Sequence, residues 1–139
     1  MLPTNLLYQE LSKKIEGIAV TVRTQYGSGQ KEGLYQRAFE DELKFLKISY
    51  KRECPIVIYS FRTGRVLGKY VPDFIINDKI RVELKAVEFI PKRIENQLLD
   101  YLKNSKYELG YIINFSGGSL YKRRFIWTND RKDFNQIVK

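Results

Sequence analysis

The residues best suited to chemistry lie in one stretch, Val71-Pro72-Asp73-Phe74-Ile75-Ile76-Asn77-Asp78-Lys79-Ile80-Arg81-Val82-Glu83-Leu84-Lys85. Its even positions Phe74, Ile76, Ile80, Val82 and Leu84 are apolar, so in an extended chain they share the face that packs on a core. That match requires a hairpin closed by Asn77-Asp78-Lys79, with Ile76 opposite Ile80 and Phe74 opposite Val82. Asn and Asp tolerate the left-handed backbone such loops need. In this register Asp73 faces Glu83, and Lys85 follows on the same side of the strand. Like charges facing each other across a sheet, with Cβ atoms about 4.5–5.5 Å apart, destabilise it. Either Lys85 or a bound divalent cation offsets them. Mg²⁺ is held by one or two carboxylates together with water and phosphate oxygens, which suits this pair. The alternative is a solvated strand face carrying a Glu–Lys pair.

Acid–x–Lys also occurs at Glu42-x-Lys44 and Asp130-x-Lys132, on a helix surface and in a polar tail, where charge pairs are ordinary solvated faces. Only Glu83-x-Lys85 follows an apolar strand with a second acid in register. Two helices could add to it. Tyr35, Phe39, Leu43 and Leu46 form an apolar stripe, and Glu32 projects onto its middle, one turn before Tyr35 and Gln36. A buried acid there is costly unless paired or metal-linked, whereas a wet first-turn Glu is favoured by the helix dipole. In a later helix Ile94, Leu98 and Leu102 mark the core face, with Gln97 and Tyr101 at its edge, four residues apart.

Composition narrows the chemistry. The 139 residues contain no histidine, which excludes Ser-His and Cys-His nucleophile pairs, His-based metal sites and imidazole bases. The single cysteine, Cys54, excludes intrachain disulfides, Cys-rich zinc sites and iron–sulfur clusters, and reads as strand packing before Pro55. Catalysis therefore falls to carboxylates, Lys/Arg, Tyr, hydroxyls or amides with a borrowed metal ion. The 25 Lys+Arg against 16 Asp+Glu leave a formal charge of +9, a bias toward polyanions. No apolar run approaches a membrane span, and Met1-Leu2-Pro3-Thr4-Asn5 lacks the basic start of a secretory signal, so a cytoplasmic, intracellular protein with no membrane partner is expected.

The elements that must position these residues are read from periodicity. Helical spacing runs over 6–22 (Leu7, Leu11, Ile15, Ile18, Ala19, Val22) until Gly27-Ser28-Gly29 breaks it, and a second helix is predicted over 31–46. Strands are predicted over 50–61, 66–71, 73–76 and 80–85, with Arg62-Thr63-Gly64 as a turn. Pro91 opens a helix reaching about 105, and strands over 109–115 and 120–127 flank Gly117-Gly118. The order α-α-β-β-β-β-α-β-β predicts a mixed sheet flanked by helices, an α/β (α+β) fold, in a single domain over 1–139.

Together these features resemble the PD-(D/E)XK nuclease superfamily, and more closely the small proteins named after the pattern GxxExxY. The matching residues are Gly29-Gln30-Lys31-Glu32-Gly33-Leu34-Tyr35, Pro72-Asp73, Glu83-Leu84-Lys85, Gln97-x-x-x-Tyr101, and Ile113-Asn114-Phe115 before Lys122-Arg123-Arg124. The likeness runs from about 15 to 126. It implies a central mixed sheet with flanking helices and metal-dependent hydrolysis of phosphodiesters. Carried over, Asp73 and Glu83 ligate Mg²⁺ or Mn²⁺, helped by the Leu84 carbonyl. Lys85 orients or activates water and stabilises phosphate charge, Glu32 completes the carboxylates, and Gln97 and Tyr101 line the site. The partner implied is nucleic acid, DNA rather than RNA, and archaeal junction resolvases suggest a homodimer by analogy. Lys51, Arg52, Arg62, Arg65, Lys92, Arg93, Lys122, Arg123 and Arg124 are candidates for holding its phosphates. The alternative is a binding module that keeps the fold without turnover.

Overall fold

The computed structural model describes residues 7–132, so the Met1–Asn5 stretch and Leu6 lie outside the described residues. Helices α1 (Gln9–Tyr26) and α2 (Glu32–Phe45) precede five strands, β1 (Tyr50–Arg52), β2 (Ile56–Tyr59), β3 (Val66–Tyr70), β4 (Phe74–Ile76) and β5 (Ile80–Lys85). Helix α3 (Lys92–Lys103) and strands β6 (Leu109–Asn114) and β7 (Tyr121–Ile126) follow. A five-stranded sheet has the order β1-β4-β5-β6-β7, with β5 and β6 parallel and the other neighbours antiparallel. Strands β2 and β3 form a separate antiparallel ribbon.

One expectation fails here. The predicted strand over 50–61 is two strands in two different sheets. Glu53 takes a left-handed backbone (φ 50°), and Pro55 offers no N–H to a ladder, so the chain turns out of the first sheet between them. Cys54 therefore lies between strands, only partly buried, and packs at the edge of the core under α3.

The sheet is buried on both faces. Phe74, Ile76, Ile80, Val82 and Leu84, with Leu109, Tyr111 and Ile113, pack against Ile15, Ile18, Ala19 and Val22 of α1 and Tyr35, Phe39 and Leu43 of α2. Leu46, expected in the α2 stripe, lies past the helix end and is exposed. On the opposite face Ile75 and Ile112 pack beneath Leu98 and Leu102 of α3, with Tyr107 and Phe125. Helix α3 sits close because Gly110 has no side chain: a Cβ there would lie 3.2 Å from Leu98. Every residue of β6 is buried, as expected of a strand covered on both sides.

The loop between α1 and α2 is fastened by Tyr35. Its buried hydroxyl donates to the Gly27 carbonyl at 2.6 Å and accepts the Gln30 N–H at 3.1 Å, while its ring stacks on Phe115 at 4.5 Å. Gly27 and Gly29 both have positive φ, which gives the chain its sharp entry into α2 at Glu32. Tyr35→Phe keeps the stack and removes both hydrogen bonds. The expected cost is about 1–2 kcal/mol, read as a lower urea midpoint at unchanged m-value.

Candidate active site

The β4–β5 hairpin has the register the apolar pattern demands: Phe74 pairs with Val82 and Ile76 with Ile80. The loop Asn77-Asp78-Lys79 closes with both Asn77 (φ 52°) and Asp78 (φ 51°) left-handed. Asp78 is anchored from outside by the Tyr107 hydroxyl at 2.8 Å and Lys106 at 3.2 Å. One step beyond the last pair, the same register sets Asp73 opposite Glu83. The Asp73 carboxylate extends the ladder by accepting the Leu84 backbone N–H at 2.7 Å and takes a second hydrogen bond from Gln36 of α2 at 3.3 Å. Gln36 in turn accepts from Arg52 at 3.3 Å.

Glu83 is held from the other side. The Tyr70 hydroxyl donates to its Oε1, and the Tyr70 ring stacks on Tyr101 with centroids 3.8 Å apart. Glu83 Oε2 accepts no hydrogen bond among the described residues. Beneath this stack lies Arg81, fully buried, its guanidinium 4.3 Å from the Tyr70 ring centre and 5.5 Å from that of Tyr101. Among the described residues none of its side-chain nitrogens has a hydrogen-bond partner, so the ring faces and the charge of Glu83 are what offset its burial.

The electrostatics follow from this crowding. Burial, then the charge of Asp73, pushes the Glu83 carboxyl up to about 7, against the pull of the Tyr70 hydrogen bond, Lys85 and Arg81. Burial also lifts Asp73 above its ordinary value, opposed by the Leu84 N–H, Lys85 and Arg52. Glu32 is raised too, by lost hydration and by Asp73, with Lys85 opposing. Lys85 is half-buried in the field of all three acids, yet its ammonium makes no hydrogen bond or ion pair among the described residues. Burial and the charge of Glu83 push the Tyr70 hydroxyl far above its ordinary range, so it stays a neutral donor.

Asp73, Glu83 and Lys85 thus come together as expected, and Glu32 comes to their edge. Glu32 is exposed at the start of α2 and does not sit inside the apolar stripe. Among the described residues no three acids stand close enough to enclose a metal ion by themselves. Tyr101 reaches Glu83 only through Tyr70, and Gln97 remains exposed on α3. Of the basic candidates, Arg52 pairs with Glu40 at 3.1 Å, Lys122 with Glu16 at 3.4 Å, and Arg123 and Lys92 with Glu95 at 2.9 and 3.5 Å. Arg124 bonds the Leu7 carbonyl, while Lys51 and Arg93 are exposed. Three residues were missed. Tyr70 and Arg81 lie on the hairpin's neighbour and on its second face, which only α3 and the ribbon reveal as buried. Gln36, four residues beyond Glu32 on α2, carried a readable spacing signal.

The family model of the PD-(D/E)XK nuclease superfamily matches residues 9–125. The chain belongs to this superfamily. Comparison with curated proteins and with solved structures gives no match. The mixed sheet with its three helices is the fold of a PD-(D/E)XK protein, and membership points to a nuclease with a nucleic-acid substrate. Enzymes of this superfamily typically use divalent metals, and the donor set of Asp73 and Glu83 would fit one. It offers only hard carboxylate oxygens, one of them uncommitted, in a field of repelling acids. With too few acids to form a cage, water, backbone and substrate oxygens would complete the coordination.

The raised Glu83 carboxyl has a direct consequence for stability. A carboxyl near 7 in the folded protein and 4.5 when free favours the fold at low pH and loses that contribution as pH rises through this window. Glu83→Gln removes the buried charge and keeps an acceptor for Tyr70. It is therefore expected to be more stable than wild type by roughly 3 kcal/mol at pH 8 and by less than about 1 kcal/mol at pH 5, measured by urea unfolding without metal.

Proposed function

We propose that the protein is a divalent-metal-dependent nuclease of the GxxExxY group, hydrolysing phosphodiester bonds of DNA with Mg²⁺ or Mn²⁺. The observation that carries this reading is the hairpin register that sets Asp73 against Glu83, with the Lys85 ammonium beside them unpaired among the described residues. Asp73 and Glu83 would hold the cation, with the Leu84 carbonyl and Glu32 as further oxygen donors. Such an ion supplies water of lowered pKa and neutralises phosphate charge. Tyr70 fixes one oxygen of Glu83 and Gln36 one oxygen of Asp73, so both carboxylates are oriented before a ligand arrives. Lys85, without a hydrogen bond or ion pair among the described residues, donates to a phosphate oxygen and to the attacking water. No step requires histidine, and this chain has none. Gly29, Glu32 and Tyr35 support the GxxExxY assignment by doing three linked jobs: the turn, the rim acid and the fastening of the loop.

Plasmid and oligonucleotide cleavage with Mg²⁺ or Mn²⁺ tests the reading. Asp73→Ala, Glu83→Ala and Lys85→Ala should each lower kcat by about two orders of magnitude or more while circular dichroism stays native. Cleavage by the alanine variants at the wild-type rate would show that the activity lies elsewhere. At subsaturating metal the wild-type rate is expected to climb with pH through about 7, because the cation must displace the Glu83 proton to bind, and saturating metal should move that rise to lower pH.

A further inference from the structure

The β2–β3 ribbon has a composition unlike the rest of the chain. From Cys54 to Pro72 there are three cations, Arg62, Arg65 and Lys69, and no acid. Among the described residues none of the three forms an ion pair, in contrast to Arg52, Lys92, Lys122 and Arg123. Val66, Leu67, Gly68 and Lys69 are all exposed, so β3 has water on both faces and covers no core before Tyr70. The register shifts between Ile58 and Tyr59, a bulge that coils the ribbon. Its tip is preformed: the Ser60 hydroxyl accepts the N–H groups of Arg62 and Thr63 at 3.2 and 3.1 Å, and Gly64 closes back on the Ser60 carbonyl at 2.9 Å. Phe61 stands half exposed at that tip with the Arg62 guanidinium 4.9 Å from its ring centre.

We infer that this ribbon is the element that reads duplex DNA by entering its major groove beside the active site. The inference rests on the nuclease reading and adds the form of the substrate. The B-form major groove, about 12 Å wide, admits a two-stranded β-ribbon, whereas the A-form RNA groove is too narrow for side chains to read. Strands of four and five residues, about 15 Å long at the usual rise, match that groove's scale. Arg62, Arg65 and Lys69 meet phosphates or guanine edges, and Val66 and Leu67 offer the apolar contact that suits thymine methyl groups. Tyr70 ends the same strand and bonds Glu83, so a groove-bound ribbon is registered directly on the catalytic carboxylate.

Fluorescence anisotropy in EDTA, with a 20-base-pair DNA duplex and the RNA duplex of the same sequence, tests this apart from cleavage. Wild type should bind the DNA duplex at least tenfold tighter than the RNA. Arg62→Ala/Arg65→Ala should weaken DNA binding about tenfold and reduce the slope of log Kd against log salt by about 2. Unchanged affinity and slope, or equal binding of the two duplexes, overturns the inference. So does a wild-type dimer in sedimentation that Leu67→Glu makes monomeric, which would give the ribbon to a second copy of the chain. Ribbon-dependent DNA binding without cleavage by wild type keeps the ribbon and rejects the nuclease reading. Cleavage by wild type with unaltered binding by the variant rejects the ribbon alone.

Discussion

Asn77 and Asp78, both left-handed, close a three-residue loop that decides which residues of β4 and β5 face one another. A one-residue slip would send Phe74, Ile76, Ile80, Val82 and Leu84 out of the α1–α2 core and scatter the acids and Lys85 onto the other face. The apolar match therefore enforces the carboxylate pair: burial on one side of the strand sets the chemistry on the other. Tyr107 and Lys106 on Asp78 hold the loop from outside, and the Asp73 bond to the Leu84 N–H seals the open end.

That arrangement sets stability against function. Two carboxylates stand close in a poorly hydrated place, and one of them is pushed into the neutral range. The protein tolerates this through oriented neutral donors and displaced cations, with no direct ion pair to either acid among the described residues. Tyr70 donates to Glu83 and Gln36 to Asp73, while Arg81 and Lys85 contribute field without contact. A direct Lys or Arg partner would occupy the oxygens that the proposed cation needs. The β2–β3 ribbon joins this balance through Tyr70, which belongs to the ribbon by sequence and to the site by hydrogen bond.

Much of this was legible in the residues. The bounds of β5 and the register with β4 followed from a strict period-2 apolar pattern, and α3 followed from Pro91 and the Ile94, Leu98, Leu102 spacing. What escaped depended on distant covering. The odd face of the hairpin gives no local sign of burial until α3 is known to lie across it, so nothing in the pattern singled out Arg81. The stretch 50–61 was joined because its side chains are uniformly β-forming, although Pro55 inside it was a signal for a break. Glu32 shows the opposite error: helical projection placed it on the buried stripe, but at the first position of α2 the stripe has not yet met the sheet. Lys132, read as part of a polar tail, instead donates to the Ser105 and Tyr107 carbonyls just past α3, a long-range contact with no local pattern.

The central claim is that Asp73 and Glu83 form one oxygen site for a hard divalent cation. Calorimetric titration of the wild-type protein, Asp73→Asn and Glu83→Gln with Mn²⁺ at pH 8 and pH 6 tests it most directly. Wild type should bind with a site that both variants lose, and more weakly at pH 6, where binding must displace the Glu83 proton. No saturable binding by wild type at pH 8, or binding that either variant retains unchanged, would contradict it.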